Sequence, residues 1–252
     1  MREVFFQLRS QKTGCPYLNK CTQFQVAEIN KKFECFAFLE MGACDLQQIL
    51  KIRVKEKLYY SNTEILITFK QLALGFAAIE QQGMAHRDIK PANVLYSFKK
   101  KIYQIADFGE GLLLKPGLMA TRVAGSPAYM APELKKLYRA KVYDSPPYNI
   151  IRADIYSLGV MIFEMITFER RPTTQKIHAL SCSPLIKKLL LNCLIDRVYN
   201  SFCSIVSEIT LSENVETSDA RLVQKHLLPP EPTPLEKLKI MRENAEGYNR
   251  IH

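Results

Sequence analysis

The sequence predicts an α+β fold, on three observations. Two long apolar stretches, Thr63 to Gln82 and Ala153 to Thr167, run past strand length and read as buried helices. Three short apolar runs, Phe33 to Leu39, Val94 to Tyr96 and Ile102 to Ile105, have the length and residue types of strands. Beyond residue 150 the chain offers one helical stretch after another, so strands and most helices segregate along the sequence.

Taken in order, residues 1–13 read as a helix with apolar Val4, Phe5 and Leu8, ended by Gly14-Cys15-Pro16. Phe33 to Leu39 is expected as a buried strand. Asp45 to Leu50 reads as a short helix entered through an aspartate, whose carboxylate can accept the free N–H groups of the first turn. The helix from Thr63 closes at Gly83. The strands at 94–96 and 102–105 are joined by the turn Lys99-Lys100-Lys101. Residues 110–130 read as a loop, and Pro184 to Leu194 and Phe202 to Ile209 as further helices. From residue 211 the chain turns polar and charged, with Pro229 to Pro234 as a linker before a last polar helix. The expected organisation is one domain over 1–210 and a polar tail over 211–252.

The 252 residues, 47% of them hydrophobic, suffice for one large core or two small ones. A net charge of +10 attracts polyanions such as phosphate-rich ligands or acidic peptides. The basic runs are at most three residues long and no aromatics interleave with them, which argues for a solvated basic surface and against nucleic acid as a partner. Seven cysteines, an odd number with no C-x-x-C pair, argue against a disulfide framework or a zinc site and place the chain in a reducing compartment, cytoplasmic by default. With no secretory signal and no apolar run near ~18 residues, no membrane span is expected.

Four motifs carry chemistry. His86-Arg87-Asp88-Ile89-Lys90-Pro91-Ala92-Asn93 lies between the long helix and the strand at 94, and Asp107-Phe108-Gly109 follows 14 residues after Asn93. Gly125-Ser126-Pro127-Ala128-Tyr129-Met130-Ala131-Pro132-Glu133 comes next, and Ala153-Asp154-Ile155-Tyr156-Ser157-Leu158-Gly159 opens the apolar helix. Singly, the second is an ordinary turn and the first a surface salt-bridge cluster. All four in this order resemble the signature of the eukaryotic-type protein kinase family. The resemblance covers roughly residues 1–210 and is most specific from 86 to 164.

That resemblance implies a kinase-like fold with a mainly helical C-lobe, and a serine/threonine protein kinase that uses ATP and Mg2+ on a protein substrate. Phosphoryl transfer has a loose transition state, so its catalysis is mostly positioning and charge neutralisation. Asp88 matches the base that accepts the hydroxyl proton, and Lys90 the cation facing the transferring phosphate. Asn93 and Asp107 match the oxygen ligands of magnesium. Lys90-Pro91 is the serine/threonine hallmark, and Ser126 can bridge Asp88 and Lys90. Glu40-Met41-Gly42 resembles the hinge beside the adenine, with Leu39 at the gatekeeper position and Leu95 under the ring. His86 and Phe108 resemble members of the apolar stack that couples the lobes, and Asp154 the aspartate that holds the catalytic loop by its backbone. Asp107 to Glu133 matches an activation segment, with Thr121 near its phosphorylation site and Arg87 as the phosphate's partner.

The chain departs from the family pattern in three places. The glycine-rich loop and the lysine of the Val-Ala-Ile-Lys strand are absent, and Glu3 in Arg2-Glu3-Val4 resembles the regulatory-helix glutamate that pairs with that lysine. A truncated N-lobe with exposed strand edges and apolar faces is therefore expected. The stretch before Pro184 is short, which predicts a reduced substrate-docking helix. Ser201 stands where an arginine should pair with Glu133, leaving Arg197 as the substitute; an unpaired buried carboxylate there would cost about 3–5 kcal/mol. The alternative reading is a pseudokinase or scaffold that binds a partner through apolar surface. The complete set Asp88, Lys90, Asn93 and Asp107 favours the enzyme.

Overall fold

Helix α1 (Arg2–Gln11) leads into an antiparallel hairpin of β1 (Cys21–Ile29) and β2 (Lys32–Leu39). The computed structural model describes residues 2–29, 32–40, 44–114 and 120–216. The alternation of Phe24 and Val26 with Gln23 and Gln25 is the strand signal for β1, which the apolar-run criterion passes over. The strand expected at Phe33 to Leu39 is present, and its described side chains are not buried: Phe36 is 40% and Phe38 49% exposed. The register pairs Phe24 with Ala37 and Gln25 with Phe36, so apolar side chains stand on both faces. A two-stranded ribbon beside a single helix cannot shield both. In α1 itself the buried face is Phe6, Gln7 and Ser10, while Phe5 and Leu8 are exposed.

Strand β3 (Cys44–Asp45) runs into α2 (Leu46–Glu56). Asp45 and Gln48 form a reciprocal capping box at its start, and the helix runs past the expected Leu50 to a left-handed cap at Lys57. Helix α3 (Asn62–Gln81) starts the same way, through Ser61 and Glu64. Then follow β4 (Met84–Ala85), a 3₁₀ turn at Pro91–Asn93, β5 (Val94–Ser97) and β6 (Ile102–Ile105). Strands β3, β5 and β6 form one sheet in the order β3-β5-β6. The expected loop at 110–130 holds β7 (Leu112–Leu113), paired with β4, and β8 (Ala120–Arg122). Helix α4 (Pro132–Arg139) precedes β9 (Asp144–Tyr148), which pairs with β8.

The remaining helices are α5 (Ile150–Thr167), α6 (Thr174–His178), α7 (Pro184–Leu194) and α8 (Phe202–Glu216). Phe69, Leu72 and Phe76 of α3, Leu158 and Phe163 of α5, Leu190 of α7 and Phe202 of α8 are fully buried in one cluster. Gly159 lets α5 and α7 close up, since a Cβ there would sit 2.9 Å from the Cβ of Cys193. The short stretch before α7 holds only the five-residue α6 among the described residues, as its spacing predicted. The boundary expected at 210 falls inside α8; the proline linker and last polar helix lie outside the described residues. Among the described residues no helix is long and apolar enough to cross a membrane, and the described cysteines are free thiols.

Candidate active site

The 86–93 loop leaves β4 and returns through the 3₁₀ turn into β5. Its start is held from below by Asp154 in the first turns of α5. Asp154 is 3% exposed; its Oδ2 accepts the His86 N–H at 2.8 Å and its Oδ1 the Arg87 N–H at 3.0 Å. Burial pushes this carboxyl up to about 7, against the pull of the two N–H donors. Arg87 sits in the left-handed region at φ 69°, and its Nη2 donates to the Arg122 carbonyl of β8 at 2.7 Å. Gly125, at φ +103°, passes so close that a Cβ would lie 2.2 Å from the Arg87 carbonyl oxygen. Any side chain there would force the two segments apart.

Three predicted residues converge beside this anchor. Lys90 Nζ lies 2.6 Å from Asp88 Oδ2 and donates to Ser126 Oγ at 3.1 Å, so Ser126 meets the pair as its position suggested. Asn93 Nδ2 donates to the Asp88 carbonyl at 2.9 Å and to Asp88 Oδ2 at 3.2 Å. The other carboxylate oxygen, Asp88 Oδ1, is buried and receives no hydrogen bond. Burial pushes the Asp88 carboxyl up, but Lys90 and the Ser126 hydroxyl outweigh it and hold the group below its ordinary value. Asp88 is therefore an anion at neutral pH. A depressed pKa adds stability above the ordinary carboxylate range, and that stability is lost as pH falls through the lowered value. Lys90→Met removes the cation, so the acid limb of any Asp88-dependent activity moves upward by about 1–3 pH units in a pH–rate profile.

Asp107 follows a residue clamped on both sides. The Ala106 N–H donates to the Asn93 carbonyl at 2.9 Å, and His86 Nε2 lies 3.1 Å from the Ala106 carbonyl. Asp107 itself takes φ 61°, is exposed, and its Oδ1 accepts the Gly109 N–H at 3.1 Å. The next residue, Phe108, is fully buried with its ring 5.3 Å from His86, which meets Phe76 edge to face at 5.7 Å, and Phe76 stacks on Phe202 at 5.1 Å. This column of rings fixes the backbone on either side of Asp107. Glu3 of α1 faces the same place: partial burial raises its pKa first, and the charge of Asp107 raises it further.

Among the described residues, no hydrogen bond or ion pair links Leu39, Glu40 or Leu95 to this cluster. Leu39 ends β2 and is 37% exposed. The Glu40 N–H donates to the Lys20 carbonyl at 2.6 Å, and its carboxylate pairs with Lys100 Nζ at 2.6 Å, on the turn after β5. Met41 and Gly42 lie outside the described residues. Leu95, half-buried on β5, is two residues from Asn93 and paired with Gln104. The Thr121 backbone belongs to β8, and its side chain lies outside the described ones.

Sequence reasoning passes over one network. Tyr129 Oη donates to Glu164 Oε2 at 2.6 Å, Arg170 Nε pairs with Glu164 Oε1 at 2.8 Å, and Ser157 Oγ donates to the Tyr129 carbonyl at 3.0 Å. The signal was a lone glutamate late in an apolar helix, since a buried carboxylate demands partners. Glu133 is a correction. It does pair with Arg197, at 2.8 Å, but its side chain is 47% exposed rather than buried. α4 presents it at the surface, where such pairs contribute under ~1 kcal/mol. Arg197→Ala accordingly lowers the free energy of urea unfolding by less than about 1 kcal/mol, not by the larger amount an orphaned buried carboxylate would lose.

Comparison with known proteins gives the family of this chain. Residues 17–224 match the model of the protein kinase domain. The chain is 39% identical over 100 residues to the serine/threonine-protein kinase ATG1a of Arabidopsis thaliana, covering 39% of this chain and 14% of that protein. It is 35% identical over 137 residues to the serine/threonine-protein kinase atg1 of Dictyostelium discoideum, covering 53% and 19%. Against the mouse serine/threonine-protein kinase Nek5 the identity is 30% over 145 residues, covering 57% and 22%. The chain thus spans less than a quarter of the length of each of these relatives. With a domain match over most of its length and the signature residues gathered around one loop, the chain belongs to the eukaryotic-type protein kinase family, on its serine/threonine side.

Proposed function

We propose that this chain transfers the γ-phosphoryl group of ATP to serine or threonine hydroxyls of a protein substrate. The observation that carries the reading is the geometry at Asp88, whose Oδ2 is held by Lys90 and Asn93 while Lys90 also donates to Ser126. An oriented carboxylate beside a phosphate-facing ammonium is what a base needs to accept the hydroxyl proton. As the hydroxyl oxygen bonds to phosphorus, its proton passes to Asp88 and the bond to the ADP oxygen breaks. Lys90, held by Ser126, faces the phosphoryl group and offsets its charge.

The donor set fits magnesium. Asn93 turns its amide nitrogen to Asp88, which leaves its oxygen for another partner, and Asp107 adds a second hard oxygen donor. Magnesium characteristically takes one or two protein oxygens and completes its shell with phosphate and water, so no larger cluster is required. Among the described residues no group of three His, Cys, Asp or Glu side chains is placed to hold a metal. When bound, the ion neutralises phosphate charge. Leu95 with Leu39, and the backbone of Glu40 and Met41, would receive the adenine.

The exposed apolar ribbon of β1 and β2 favours the second reading, a scaffold that binds a protein partner. Thermal unfolding separates the two. With Mg2+ and ATP at about a hundredfold over Kd the enzyme gains ~2.7 kcal/mol, a clear upward Tm shift, and Asp107→Ala loses it. Absence of any shift at millimolar ATP would favour the scaffold.

A further inference from the structure

Strand β9 is stiff by composition. Pro146 and Pro147 fix their own φ, and each also confines the residue before it to extended backbone, so Ser145 and Pro146 have little freedom to leave the strand. The far end of β9 is tied to α5, because Asn149 caps that helix by accepting the Arg152 N–H at 3.0 Å. β9 thus extends the helix that carries Asp154. It lies against β8 with Tyr148 opposite Ala120 and Asp144 opposite Arg122, and the Val123 N–H donates to the Tyr143 carbonyl at 2.8 Å. Proline has no N–H to give a ladder, and a side chain supplies a further bond: Tyr148 Oη donates to the Arg122 carbonyl at 3.1 Å. Burial pushes the Tyr148 hydroxyl up, which keeps it protonated, and so a donor, at neutral pH.

The Arg122 carbonyl is a junction. It also accepts from Arg87 Nη2 at 2.7 Å, and Asp154 accepts the Arg87 N–H. α5 therefore reaches the reacting loop by two routes, through Asp154 under the backbone and through Tyr148 and Arg122 beside the Arg87 guanidinium. Three residues past Arg122, Gly125 passes the Arg87 carbonyl too closely for any side chain, and the next residue, Ser126, accepts from Lys90 at 3.1 Å. A shift of the Arg122 carbonyl has only this short, crowded path on which to relax before it moves the Ser126 hydroxyl.

We propose that Tyr148 is a positioning residue: its hydroxyl, together with the β8–β9 ladder, straps the 120–126 segment to α5 so that Ser126 stays on Lys90. The catalytic consequence rests on the kinase reading; the strap itself does not. Small displacements of groups that position a reacting centre cost rate out of proportion to their energy, so a single hydroxyl outside the reacting cluster matters here.

The test uses the full chain and Tyr148→Phe, which removes one oxygen and keeps the ring; the far-ultraviolet spectrum and Tm check folding. Hydrogen exchange is read first, without nucleotide or peptide. The Val123 amide is expected to exchange about two- to tenfold faster in the variant, the factor that goes with one neutral hydrogen bond, while the amides in the middle of α5 keep their wild-type rates. Steady-state kinetics on a serine peptide come second. There kcat is expected to fall by about two- to tenfold with KM for ATP unchanged, since the strap acts on the groups that meet the transferring phosphate. Ser126→Ala then separates positioning from general packing. If Tyr148 acts through Ser126, Tyr148→Phe lowers kcat no further in a Ser126→Ala background, whereas independent effects multiply. Wild-type exchange at Val123 in Tyr148→Phe overturns the strap, and faster exchange with multiplying losses of kcat overturns the route through Ser126. If the wild-type chain transfers no phosphate, the kinase reading falls and exchange alone decides the strap: faster exchange in Tyr148→Phe upholds it, and an unchanged rate removes it.

Discussion

Asp88→Asn is expected to lower kcat by about 10²–10⁴, the usual contribution of a positioned base, while the affinity for ATP and magnesium stays close to the wild-type value. The replacement keeps the shape of the side chain and its hydrogen bond from Asn93, so the 86–93 loop retains its course. What it removes is the negative charge that Lys90 and the Ser126 hydroxyl stabilise, and with it the carboxylate's capacity to take a proton. The loss therefore falls in the transition state and lowers kcat and kcat/KM together. Steady-state kinetics on a serine peptide, with Tm as a folding control, make the measurement. A loss of less than about tenfold would remove Asp88 from the role of base.

Asp154→Ala is expected to have the largest effect on stability. Its carboxylate is the acceptor for the His86 and Arg87 N–H groups at the root of the loop, where Asp154 and His86 are buried and Arg87 half-buried. Alanine leaves those donors without a partner, and breaking a buried charged network costs about 3–5 kcal/mol. At ~2–4 °C per kcal/mol for a domain of this size, Tm falls by roughly 6–20 °C. The group also gives stability a pH slope. In an unfolded chain the carboxyl loses its proton near the ordinary aspartate value, whereas in the folded chain burial holds the proton up to about 7. Between those values the folded state binds the extra proton, so this group's contribution falls as pH rises through the window. Asp154→Asn, which cannot titrate, should flatten that part of the stability curve. A wild-type slope retained in Asp154→Asn would assign it to other groups.

The parts of this molecule legible in the sequence are those fixed by local chemistry. Asp45 announces a helix start because a short side-chain oxygen before an apolar run has one good use, and it caps as expected; Ser61 caps α3 in the same way, ahead of the start expected at Thr63. The 86–93 loop and Asp107 are legible because their residue types and spacing recur together, and the fold does bring Asp88, Lys90 and Asn93 into direct contact. Burial of β2 was misread because apolar content states what a strand can cover, not whether a second layer exists to cover it. The exposure of Glu133 depends on how α4 sits on the folded chain, a tertiary fact with no sequence period behind it. Glu164 was legible in principle, as a charge in an otherwise apolar helix, but its partners Tyr129 and Arg170 lie on opposite sides of it in the chain.

The most direct test is transfer of radiolabelled γ-phosphate from ATP, with magnesium, to a pool of peptides containing serine, threonine or tyrosine. The expected result is label in phosphoserine and phosphothreonine, absent from phosphotyrosine, and reduced to background in Asp88→Asn. Label at the same level in wild type and Asp88→Asn, or none in either, would contradict the assignment of this loop as a phosphoryl-transfer site.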